Sequence, residues 1–115
     1  MITRHLIPNV PPGSQVCGFI YEADVATERG EDMLDVVLEN GILITAGWYP
    51  EGDPKGCYRV AVHRDYNELV PAAESPNADQ ALIDVEQFAA EFAYRNLIAV
   101  SDTTFTPPST THCGA

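Results

Sequence analysis

Positive charge is scarce in this chain. Six Lys and Arg stand against seventeen Asp and Glu over 115 residues, giving a formal net charge of -11 and a pI near 4.3. Such a field repels phosphate backbones and anionic lipid headgroups, so direct binding to nucleic acid or to a membrane surface is not expected. It attracts a basic protein, or imitates a nucleic acid toward a basic enzyme. The plainer use of the same charge is solubility. Long apolar runs are also missing, and nothing approaches the ~20 residues that a membrane-spanning helix needs. The opening MITRHLIPNVPPG lacks a continuous apolar core of ~7–15 residues, so it does not read as a secretion signal.

Cysteine is sparse as well. Cys17, Cys57 and Cys113 are odd in number and have no CxxC spacing, which suits a cytoplasmic protein with reduced thiols. His5, His63 and His112 are scattered, and no spacing resembles a zinc or calcium site, so no metal is expected. The glycines of GWYPEGDPKG lack the spacing and lysine placement of a phosphate loop and read as turn residues. No cofactor is expected, and no catalytic motif stands out.

What remains is one domain. A chain of this size buries roughly two-thirds of its unfolded surface, so it folds without disulfides or metal. Residues 1–14 hold three prolines and a glycine and read as an extended or flexible arm. Residues 102–115 read as a flexible Thr/Pro-rich tail. A single α+β domain is expected over residues 15–101.

Within it, residues 16–23 and 33–39 read as strands by their aliphatic and β-branched content. The stretch LENGILITAGWYP then sets a register. A three-residue loop, Glu39-Asn40-Gly41 with Gly41 left-handed at a bulge, pairs Leu38 with Ile42, Val36 with Ile44 and Leu34 with Ala46. That collects the aliphatics on one face, whereas a two-residue Asn-Gly hairpin would scatter them. Pairing about Asp53 in the next turn sets Trp48 opposite Tyr58, Ala46 opposite Val60 and Ile44 opposite Val62. Both turns agree on one inner face. Residues 75–95 carry apolar groups at 78, 81, 82, 85, 88, 89 and 92, a helical stripe suited to covering it. Ser75-Pro76 or Asn77 caps its start, and Asp84, Glu86, Gln87 and Glu91 are left for water. Residues 97–100 are a further strand candidate. The expected fold is a four-stranded antiparallel β-meander with one long C-terminal helix on one face, a two-layer sandwich.

The second face raises the functional question. The register puts Met33, Asp35, Val37, Leu43, Ala61 and His63 there, an apolar patch edged by polar groups that suits an interface. A homodimer through this outer face is the leading expectation, since two-fold dimers are the commonest oligomers. A non-enzymatic interaction protein follows, with inhibition or neutralisation of a basic partner as a role suggested by charge alone. The alternative is a small ligand-binding protein or enzyme, with Trp48, Tyr58, Arg59 and His63 around a pocket between sheet and helix. A Cys57–His63 dyad is not expected, because six residues along a strand span about 20 Å at ~3.3 Å each.

Overall fold

The computed structural model describes residues 1–95. In chain order the strands and the α-helix are β1 (Ile2–Leu6), β2 (Gln15–Gly18), β3 (Ile20–Ala23), β4 (Leu34–Val37), β5 (Leu43–Tyr49), β6 (Cys57–Arg64), β7 (Asn67–Glu68), β8 (Ala73–Ser75) and α1 (Ala78–Arg95), with a single 3-10 turn at Ala26–Glu28. The class is α+β: an antiparallel sheet with one helix packed against it. Both turns set the expected register. Leu34 pairs with Ala46 and Val36 with Ile44, while Ile44 pairs with Val62, Ala46 with Val60 and Trp48 with Tyr58. At the first turn the Gly41 N–H donates to the Leu38 carbonyl and the Leu38 N–H to the Ile42 carbonyl, with Gly41 at φ +88°. Only glycine adopts that conformation freely, so this residue makes the three-residue loop possible.

The strand count departs from expectation. The larger sheet has six strands in the order β2-β4-β5-β6-β7, with β8 also paired to β6, and β1 and β3 form a separate two-stranded sheet. Three local causes account for the difference. The expected single strand over residues 16–23 is broken at Gly18, whose φ of +83° turns the chain out of one sheet and into the other. β7 follows β6 through a two-residue turn, Asp65-Tyr66, with both residues at positive φ. Such turns normally announce themselves as Asn-Gly or Asp-Gly, and Asp-Tyr does not. β8 is only three residues long, lies between Pro71 and Pro76, and pairs with Tyr58–Val60 at the other end of the same β6 edge. Of the residues expected as an arm, Ile2–Leu6 form β1. The candidate strand at 97–100 and the tail at 102–115 lie outside the described residues.

A bulge ahead of β4 changes which face Met33 occupies. The Met33 N–H bonds to the Ala46 carbonyl and the Trp48 N–H to the Gly30 carbonyl, so residues 31 and 32 bow out opposite Gly47. Alternation fails there, and Met33 joins neighbouring Leu34 in the core at 5% exposure. The expected outer-face position of Met33 is thereby corrected.

The helix packs over the inner face, with Val85, Phe88 and Ala89 buried against the strands. Asn77 is its cap: Oδ1 accepts the N–H of Asp79 at 2.8 Å and of Gln80 at 3.3 Å. Ser75 ends β8 instead, and its hydroxyl accepts the Asn77 N–H at 3.0 Å. At the far end the Asn40 side chain donates to the Phe92 carbonyl at 2.9 Å, tying the first hairpin turn to the helix. No helix among the described residues is long and apolar enough to cross a membrane.

A β-carbon at position 47 would overlap the backbone carbonyl of Glu31. Gly47→Ala is therefore expected to destabilise the fold by about 2 kcal/mol, because backbone rather than a flexible side chain must move. Urea unfolding followed by Trp48 fluorescence checks this, and an unchanged midpoint would overturn the reading of the bulge.

Candidate functional site

Cross-strand partners share a face, so the pairings define the surface opposite the helix. One row reads Gln15, Val37, Leu43, His63 and Glu68; the next reads Cys17, Asp35, Thr45 and Ala61; a third reads Gly47, Arg59 and Glu74. The same alternation that buries Val36 and Ile44 turns Asp35 and Thr45 outward. The helix lies on the other side, and the Glu31 bulge crosses this face over Gly47. Val37 is 38% exposed, and Leu43, Thr45 and His63 are half-buried. Ala61, small and flanked by larger neighbours, is only 3% exposed.

The charge on this face is unevenly matched. Arg59 bonds Glu68 at 3.2 Å, approaches Glu74 at 4.0 Å and lies 5.9 Å from the Tyr49 ring. Its charge is answered within the face. Asp35 and Asp65 are exposed and join no ion pair among the described residues. Burial, and then the charges of Glu31 and Asp32, push the Tyr49 hydroxyl above its usual range.

One end of the face is hollow. Gly41, Leu43, Thr45, His63, Asp65 and Tyr66 line an open depression of about 560 Å³, and His63 Nε2 stands 3.5 Å from Thr45 Oγ1. Two of these residues form the β6–β7 turn, Asp65 at φ 51° and Tyr66 at φ 69°. A left-handed backbone suits Asp passably and Tyr poorly, at ~1 kcal/mol or more for the bulky residue. The Tyr66 side chain is wholly exposed, so its ring recovers none of that cost by burial.

The site residues expected from the sequence divide between the two faces. Trp48 and Tyr58 lie on the inner face, Arg59 and His63 on the outer, so these four do not line one space. The two inner rings meet edge-on at 5.0 Å. Trp48 Nε1 donates to the Asp53 carbonyl at 2.8 Å, the Tyr58 hydroxyl donates to the Tyr21 carbonyl at 2.7 Å, and the Arg29 guanidinium lies 4.5 Å over the indole. Both polar handles are satisfied, as buried Trp and Tyr require, and burial raises the Tyr58 pKa. Of the expected interface set, Asp35, Val37, Leu43, Ala61 and His63 share the outer face, and Met33 leaves it. Cys57 and His63 sit at opposite ends of β6. Tyr66 was not among the expected site residues, and the one sequence signal for its turn is Asp65 followed two residues later by Asn67, whose side chain donates to the Asp65 carbonyl at 3.2 Å. Among the described residues no group of three His, Cys, Asp or Glu side chains is gathered to hold a metal.

The helix holds the most unusual carboxyl group. Asp84, expected to face water, is 0% exposed. Gln80 Nε2 donates to its Oδ1 at 2.9 Å, and its Oδ2 has no hydrogen-bond partner among the described residues. Burial raises its pKa, and the Gln80 bond opposes that only in part. The proton is thus held more tightly in the folded than in the unfolded chain. The associated stability is fully present below the unfolded value near ~3.9 and is lost as pH rises through the raised folded value.

No family model matches this chain, and neither a curated protein nor a solved structure does. Its chemistry has to be argued from its own side chains, and the buried carboxyl gives the first test. Asp84→Asn is expected to raise the melting temperature at pH 7.5 while leaving it nearly unchanged near pH 3.5, with ~4–8 °C expected for each kcal/mol in a domain of this size. Thermal unfolding at both pH values checks this. Equal shifts at both would show that the carboxylate charge is not what burial penalises.

Proposed function

We propose that this chain is a non-enzymatic interaction protein that binds a basic protein partner across the open face of its sheet. The observation that carries this reading is the composition of that face: Val37, Leu43 and Thr45 stand uncovered by the helix and are bordered by the carboxylates of Asp35 and Asp65, which join no ion pair among the described residues. An apolar centre with a charged rim is the usual anatomy of a docking surface. The net charge of -11 adds a long-range field that draws a cationic protein in and weakens with salt. Inhibitor or antidote of a basic partner is the role this arrangement suits, in the cytoplasm, the compartment that fits its cysteine usage.

Pairing with a second copy through the same face is the second reading, favoured by the exposure of Val37 beside Leu43. Two arguments rank it lower. Met33 is in the core and Ala61 is shielded, which reduces the apolar surface that a self-interface draws on. Two copies would also set acidic rims against each other, and like charges across an interface are costly.

Light scattering at moderate salt is expected to return the single-chain mass of 12.5 kDa. A ten-residue arginine peptide is expected to shift the amide resonances of β4, β5 and β6 around Asp35 and Leu43, and Asp35→Lys to weaken it about tenfold at low salt. Twice the chain mass, returned to one by Leu43→Glu, would give the face to a second copy. Shifts centred on Asp79 and Glu86 of the helix would defeat the docking-face reading.

A further inference from the structure

The lining of the hollow at the end of the open face includes one aromatic and one acidic residue, and that combination has a specific complement. Tyr66 supplies a π-face, Asp65 supplies an anion, and Thr45 and His63 add polar groups beside the apolar Leu43. Neither turn residue serves folding well. Asn or Gly at both positions would form the same two-residue turn with less strain, and the exposed Tyr66 ring contributes no buried surface. A residue that is unfavourable where it stands and buries nothing points to a role outside the fold.

We propose that this hollow is the anchor point for one arginine side chain of the partner, its guanidinium lying against the Tyr66 ring and bonding the Asp65 carboxylate. The inference rests on the docking-face reading above and names the chemistry that the face recognises. Charge complementarity selects a cation: Asp65 is exposed and unpaired among the described residues, and Arg59, the arginine on this face, is held by Glu68 and Glu74. Geometry then selects arginine over lysine. A planar guanidinium stacks on a ring and offers a carboxylate two parallel N–H groups, whereas an ammonium is a compact, strongly hydrated point charge. The aliphatic stem of the arginine is left to lie along Leu43.

The test compares capped Gly-Arg-Gly with the same peptide carrying lysine or citrulline, titrated into the full chain and followed by the Leu43 methyl and Tyr66 ring resonances. The arginine peptide is expected to shift both, the lysine peptide less, and the uncharged citrulline peptide hardly at all. Tyr66→Asn and Asp65→Asn are the variants of choice, since Asn accepts the left-handed turn conformation that both positions require. Each is expected to melt no lower than the parent and to bind the arginine peptide about tenfold more weakly. Unchanged titrations in both variants, or an equal response to citrulline, would overturn the anchor. The longer arginine peptide separates this failure from that of the broader reading. If it still shifts Asp35 and Leu43 in both variants with undiminished affinity, the face docks cations without this anchor. If it leaves the open face unperturbed in the parent chain, the docking reading itself falls.

Discussion

A one-residue slip of β4 along β5 would carry Val36 to the solvent side and bring Asp35 under the helix, because side chains alternate with a period of two. Much of the molecule depends on preventing that slip, and the turn at residues 39–41 is where it is prevented. Gly41 takes the left-handed conformation that the three-residue loop requires. Asn40 Oδ1 accepts the Ile42 N–H at 3.1 Å, and its Nδ2 reaches the Phe92 carbonyl at 2.9 Å. One side chain therefore helps close the hairpin and fastens the helix to it. The core and the open face are two consequences of the same register, since each buried aliphatic on β4 and β5 is followed by an outward neighbour.

Where that alternation breaks, the surface changes with it. The bulge at residues 31 and 32 needs a position on β5 with no side chain, and Gly47 provides it. In return Met33 moves inward beside Leu34, and the Trp48 N–H finds the Gly30 carbonyl at 2.8 Å. The open face loses its largest flexible apolar group and keeps its carboxylates. A surface that would have been suited to self-association by area becomes one defined more by charge.

The register was legible because two turns and a run of aliphatics gave the same answer independently. Leu34, Val36, Ile44, Ala46, Trp48, Tyr58, Val60 and Val62 are all buried where the pairing put them. The helix was legible for a related reason, its stripe being matched to the face it covers. The short strands were not. β7 and β8 are two and three residues long, too short to show a period, and they are held by the exposed edge of β6 rather than by their own composition. Asp84 misled because helical spacing places it beside the stripe, not on it, and whether such a position meets water depends on which neighbouring segments close over it. Tyr66 was invisible as a site residue because its meaning lies in backbone conformation, and nothing in Asp-Tyr announces a left-handed pair.

These features bear on one another through the balance of charge. An excess of carboxylates on so small a chain repels itself and weakens the folded state. Ion pairs that offset it among the described residues, such as Arg4 with Glu22 and Asp79 or Arg59 with Glu68, are exposed, and pairs of that kind contribute little. Stability must therefore come from the apolar layer between sheet and helix, and an acidic rim around the open face is a standing penalty on the free protein. In the docking proposed above, a cationic partner would remove that penalty, so part of the binding energy would come from relieved repulsion and not from new packing. On that proposal Asp35 and Asp65 would count in two ways, weakening the isolated chain and strengthening the complex.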